Sequence, residues 1–73
     1  MPPRLSRHAR ERLVQRGITV EQVEHALTHS SGRTEPGQPG SLWVYGYVPG
    51  GRILKVCLAT ADHDQVITAV WPS

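Results

Sequence analysis

The chain has no phenylalanine, one cysteine and one methionine in 73 residues, and aromatic side chains make up only 5% of it. The lone Cys57 excludes an intramolecular disulfide, and its place inside an apolar run is that of a small buried hydrophobe. No stretch approaches the roughly 20 apolar residues of a membrane span. Met1-Pro2-Pro3-Arg4 leads into a charged segment, not into the apolar core of a signal peptide. A soluble, cytoplasmic protein is the expectation. Gly-rich phosphate loops, a Ser-His-Asp arrangement and paired catalytic carboxylates are missing as well. A single domain this short lies near the lower size limit for a self-sufficient core, which leaves room for a homodimer or a protein partner.

Acidic residues are scarce at one end. Glu11 is the only acid among the first sixteen residues, against Arg4, Arg7, Arg10, Arg12 and Arg16. The formal net charge is only +2, so it is the distribution of charge that points to a polyanion.

Ser6 is a suitable N-cap, and Leu5, Ala9 and Leu13 make an apolar stripe, which predicts a helix over 6–16. Gly17 stands where a left-handed residue ends a helix. Thr19 to Gln22 fits a capping box, with Ile18 and Val23 spaced for a hydrophobic staple, and a second helix follows over 20–29. Beyond Gly32 the pattern changes to β-branched and aromatic runs separated by turn residues. Strands are expected over 33–35, 42–48, 52–60 and 66–71, with Glu35-Pro36-Gly37-Gln38-Pro39-Gly40 as the clearest loop. The fold class is α+β: two N-terminal helices, then a three- or four-stranded antiparallel sheet.

Reading Gly50-Gly51 and Asp62-His63 as two-residue hairpin loops pairs Tyr45 with Val56, Gly46 with Lys55, Cys57 with Thr68 and Leu54 with Trp71. Trp43, Tyr45 and Tyr47 then share a face with Leu54, Val56 and Leu58. Lys55, Cys57 and Thr68 lie on the opposite one with Leu42, Val44 and Gly46. A one-residue slip would exchange these assignments, and the sequence does not say which face the helices cover.

His8, Arg12 and Arg16 recur every four residues, so they lie nearly on one line of the first helix, each step turning only about 40°. Imidazole moves protons near neutral pH, and guanidinium holds phosphate oxygens in a fork. The set therefore suits a phosphodiester. His8, four later Arg12, four later Arg16-Gly17-Ile18, Lys55 in Leu-Lys-Val, and Ile67-Thr68 in Val-Ile-Thr-Ala together resemble the signature of a family of small bacterial domains of unknown function. That family is similar in layout to the RelE, ParE and BrnT toxins, and to the ribonuclease group that includes barnase, EndoU and colicin nucleases. The final strand departs from the pattern, with Val70-Trp71 where an aromatic directly after Thr-Ala would stand.

The resemblance implies a metal-independent, RelE-like ribonuclease toxin acting in the cytoplasm on tRNA or mRNA, delivered in some relatives as the end of a secreted polymorphic toxin. It also implies a cognate antitoxin or immunity protein as partner. Such cleavage needs proton transfer to and from ribose oxygens and cations around the phosphate. His8, Arg12, Arg16, Lys55 and Thr68 are the catalytic candidates. Arg4, Arg7, Tyr45, Tyr47 and Arg52 are candidates for holding RNA, the tyrosines by stacking on bases. The bland alternatives are arginines bonded to strand carbonyls at the sheet edge and tyrosines used for packing. A non-catalytic nucleic-acid-binding or partner-docking module is the rival function. His25 and His29 have the spacing of a metal pair but no third ligand nearby, so no metal or cofactor is assigned. His63 between Asp62 and Asp64 reads as a polar turn.

Overall fold

The computed structural model describes residues 4–72. Met1 to Pro3, read above as the lead-in to the first helix, lie outside the described residues. The elements run β1 (Arg4–Leu5), α1 (Arg7–Gln15), α2 (Val20–Thr28), β2 (Ser30–Pro36), β3 (Ser41–Tyr47), β4 (Ile53–Ala59) and β5 (Gln65–Val70).

Helix α1 begins where Ser6 Oγ accepts the Ala9 amide at 3.1 Å, and buries Ala9 and Leu13. It ends because Gly17 takes φ +68°, which lets the Gly17 amide reach Val14 O at 3.1 Å and the Ile18 amide reach Leu13 O at 2.9 Å. Those paired bonds satisfy carbonyls that a helix end otherwise leaves open. Helix α2 has both halves of its capping box, Thr19 with the Gln22 amide and Gln22 with the Thr19 amide. Ile18 and Val23 are both buried in the core beside Leu13. Each such side chain contributes roughly 1.5–3 kcal/mol by leaving water.

The sheet has five strands in the order β1-β5-β4-β3-β2. Three successive antiparallel pairs agree with the expected meander, but β1 adds a fifth strand parallel to β5, with Arg4 opposite Gln65 and Leu5 opposite Val66. The sheet is therefore mixed, not purely antiparallel. Two residues carry no periodic signal, and the pairing depends on α1 bringing the start of the chain beside β5. Strand β2 is likewise longer than the expected 33–35, and its register shifts between Ser30 and Thr34.

The first hairpin corrects the expected register. The Gly51 amide donates to Val48 O at 3.0 Å, closing a turn with Pro49 second and Gly50 third at φ +97°. That is the residue pattern of a type II turn. The loop thus holds Pro49, Gly50 and Gly51, with the Val48 amide bonded to Arg52 O at 2.9 Å. Tyr45 pairs with Lys55 and Gly46 with Leu54, one residue away from the two-residue-loop pairing. The second hairpin keeps Cys57 opposite Thr68 as expected, but a bulge intervenes between that pair and Leu58–Val66.

One slip exchanges the faces of β3 relative to β4. Val44, Val48, Leu54, Val56, Leu58, Val66 and Ala69 now share the core with Leu13, Val23 and Ala26 of the helices. Trp43, Tyr45 and Tyr47 lie on the other face with Lys55 and Cys57. Gly46 allows α2 to sit this close to the sheet: a Cβ there would stand 1.9 Å from Ala26 O.

Candidate nucleic-acid interface

Helix α1 runs beside β5 in the same direction, since Leu5 precedes it opposite Val66 and Arg16 ends it against Thr68 and Ala69. Arg16 Nη1 donates to Thr68 Oγ1 at 2.7 Å and to Ala69 O at 3.1 Å, while Arg16 O accepts from Trp71 Nε1 at 3.0 Å. Strand β1 pairs with β5 only at Gln65 and Val66, so the stretch around Ala69 would otherwise be an open sheet edge. Arg16 closes it. Its Nε and Nη2 make no hydrogen bond among the described residues.

The same helix line places Arg12 one turn back and His8 two turns back, both exposed. Among the described residues neither makes a side-chain hydrogen bond or an ion pair. Glu11, the only nearby acid in sequence, is turned to Arg7 at 3.4 Å. The structure therefore brings Arg16 and Thr68 together and leaves His8 and Arg12 open to solvent on the Arg16 side of the helix.

Lys55 goes elsewhere. It shares a face with Thr68, as expected, but its ammonium leans across β3, 4.6 Å from the Trp43 ring centre and 3.9 Å from Glu35 Oε1. Lys55 and Thr68 accordingly do not grip one point. Tyr45 is buried, its hydroxyl donates to Glu35, and the Arg33 guanidinium covers its ring at 4.6 Å. Burial, with Arg33 on top, closes off its ring, so it does not offer the base-stacking platform expected of it. The Tyr45 hydrogen bond, followed by the charges of Lys55 and Arg33, holds the Glu35 carboxyl below its ordinary value of 4.5 against the opposing effect of desolvation.

Three of the other candidates are also engaged. Arg4 pairs with Asp62, Arg7 with Glu11, and Arg52 lies 3.9 Å over the ring of Trp71, the residue bonded to Arg16 O. Tyr47 remains exposed. His25 and His29 stack with ring centres 4.1 Å apart, and their Nδ1 atoms meet Tyr47 O at 2.6 Å and His25 O at 3.1 Å. Because both acceptors are carbonyls, both Nδ1 atoms carry the proton. Asp62 Oδ1 accepts the Asp64 amide at 3.0 Å, an ordinary polar turn around His63.

The profile of the family described as a domain of unknown function, DUF4258, matches residues 5–71. The chain belongs to this family. No curated protein and no solved structure gives a significant match to it.

Two features of this DUF4258 domain escape sequence reasoning. The bulge in β5 turns both Ile67 and Thr68 to the face that the helices leave open, because it sets two residues against Cys57 alone. A hollow of about 500 Å3 results, bordered by Trp43, Cys57, Ile67 and Thr68 and by the loop from Gln38 to Ser41. The Pro-Gly punctuation marked that loop as a loop, but nothing in it signalled that it folds over the sheet. No helix is long and apolar enough to cross a membrane among the described residues.

Proposed function

We propose that this domain binds RNA along the His8–Arg12–Arg16 line and cleaves it without a metal, as a ribonuclease-type toxin or toxin effector. The observation that carries this reading is the contrast within one line of side chains. Arg16 is fixed against Thr68 with donors to spare, whereas His8 and Arg12 stand exposed and without a carboxylate partner among the described residues. A cation that only solubilises gains nothing from such alignment, but a phosphodiester is held by two guanidiniums at once.

In the proposed reaction the ribose 2′-hydroxyl gives up its proton as its oxygen attacks the adjacent phosphorus, and the bond to the 5′-oxygen breaks. That oxygen leaves as a hydroxyl after taking a proton, so the products are a 2′,3′-cyclic phosphate and a 5′-hydroxyl end. His8 is the proton-transfer group as base or acid, and Arg12 with the free edge of Arg16 stabilises charge building on the phosphate. The resemblance read from the sequence to RelE, ParE and BrnT belongs to this proposal as fold-level analogy, and a cognate antitoxin or immunity protein belongs to it as partner.

Incubating the purified domain with tRNA and mRNA tests it. Cleavage should fall by two or more orders of magnitude in His8→Ala and Arg12→Ala, with the circular dichroism and melting temperature of the parent. A parent protein that binds RNA and leaves it intact establishes instead the non-catalytic binding module, the reading favoured by the two donors that Arg16 already spends within the fold.

A further inference from the structure

The hollow on the open sheet face has the composition of a slot for a flat heteroaromatic ring. Trp43 supplies an indole wall and Ile67, 43% exposed, an aliphatic one. Cys57, 5% exposed, lies at the bottom. Polar groups sit at its margin: Gln38, the Ser41 hydroxyl donating to Gln38 O at 2.8 Å, and Thr68 Oγ1, which accepts from Arg16 and keeps its own proton to donate.

Charge at the Thr68 margin of the hollow is positive. Arg16 meets it through Thr68 and has no carboxylate partner among the described residues. On the Trp43 side the Lys55 ammonium stands 4.6 Å from the ring and shares its charge with Glu35, which also accepts from Tyr45. An apolar slot with a few hydrogen-bonding groups and cations at its rim fits a ring that carries a phosphate, and fits poorly a neutral aliphatic or an acidic side chain lacking a ring.

We infer that this hollow is a base subsite: a nucleobase lies against Trp43 with its edge toward Gln38 and Thr68, and its phosphate lies toward Arg16. The subsite rests on the RNA-directed reading above and supplies it with base preference. The cations grip any sequence, whereas a slot with fixed donors and acceptors distinguishes one base from another.

Trp43 fluorescence reports occupancy directly. In the Trp71→Phe variant, where Trp43 is the sole indole, titration with the four ribonucleoside 3′-monophosphates should quench emission, unequally among the bases. Ribose 5-phosphate, which offers phosphate without a base, should leave it unchanged. Gln38→Ala should narrow the difference between bases, and Ile67→Ala should weaken all of them at least five-fold. Should Trp71→Phe fail to fold, the Trp43 indole N–H resonance of the parent protein, followed by NMR through the same titrations, replaces the fluorescence. Silence with every nucleotide at millimolar concentration, or equal quenching by ribose 5-phosphate, overturns the subsite. Quenching by nucleotides from a protein that leaves RNA intact keeps the subsite and removes the nuclease. Cleavage with base preference untouched by Gln38→Ala and Ile67→Ala keeps the nuclease and removes the subsite.

Discussion

The guanidinium of Arg16 donates to the Thr68 hydroxyl across 2.7 Å, joining two positions 52 residues apart. With the companion bond to Ala69 O, this contact fastens the end of α1 to the strand that borders the hollow. Structural closure of the sheet edge and placement of a cation at the proposed RNA surface are thus one interaction.

Thr68→Val keeps the β-branched shape and removes the acceptor. Hydrogen bonds to charged groups contribute roughly 1.5–3 kcal/mol, and Arg16 retains Ala69 O, so the loss should fall at the lower end, about 1.5 kcal/mol. Arg16→Ala should cost more, because Ala69 O then depends on water alone. Urea unfolding of the two single variants and the double variant measures the coupling, which should be positive and of order 1 kcal/mol. Strictly additive effects would contradict the contact.

Gly46→Ala should be among the most damaging small substitutions in the chain. The added Cβ would sit 1.9 Å from Ala26 O and 2.6 Å from Ala26 C, both backbone atoms that cannot rotate aside. Helix α2 must lift from β3, at a cost of about 3 kcal/mol or more. Gly51→Ala, at φ +88° with open space around it, should cost only the backbone strain of roughly 1–2 kcal/mol. Comparing their melting temperatures separates close approach from conformational freedom.

Stability should depend on pH through Glu35. Its pKa is depressed in the folded chain, chiefly by the Tyr45 hydroxyl. The stabilisation is therefore fully present above the ordinary value of 4.5 and is lost as pH falls through the lower folded value. Tyr45→Phe should flatten that acid limb while changing little of the slope above pH 6, as read by melting temperature against pH. An acid limb as steep as the parent's would remove Glu35 as its source.

RNA affinity should fall steeply with salt, because each phosphate neutralised releases a counterion. Arg12→Gln should reduce the slope of log K against log salt by about 1, and Arg33→Gln, whose side chain covers Tyr45 on the edge strand farthest from α1 and β5, should leave it unchanged. Filter binding across a salt series distinguishes the two. An equal reduction in both would mean that the basic line of α1 is not the contact.

Local chemistry was legible where a few neighbouring residues decide the outcome. Ser6, Thr19 with Gln22, and Gly17 start and stop the helices at the expected places, because caps and a left-handed glycine act within one turn of chain. The alignment of His8, Arg12 and Arg16 followed from helical spacing alone. The roles of Lys55 and Tyr45 did not, since both depend on Glu35 and Arg33 arriving from β2.

By itself, the chain order of residues determined two capped helices, a run of strands after them and a basic line on the first helix, all consequences of interactions a few positions apart. Tertiary structure alone decided that Arg4–Leu5 joins the sheet, that the helices cover the face of Val44 and Val56 and not that of Trp43 and Lys55, and that a bulge opens a hollow beside Thr68. The physical reason is the two-residue period of a strand. One position of register moves every side chain to the other face: the Pro49-Gly50 turn sets the pairing, and long-range packing, here Gly46 under Ala26, settles which face the helices cover.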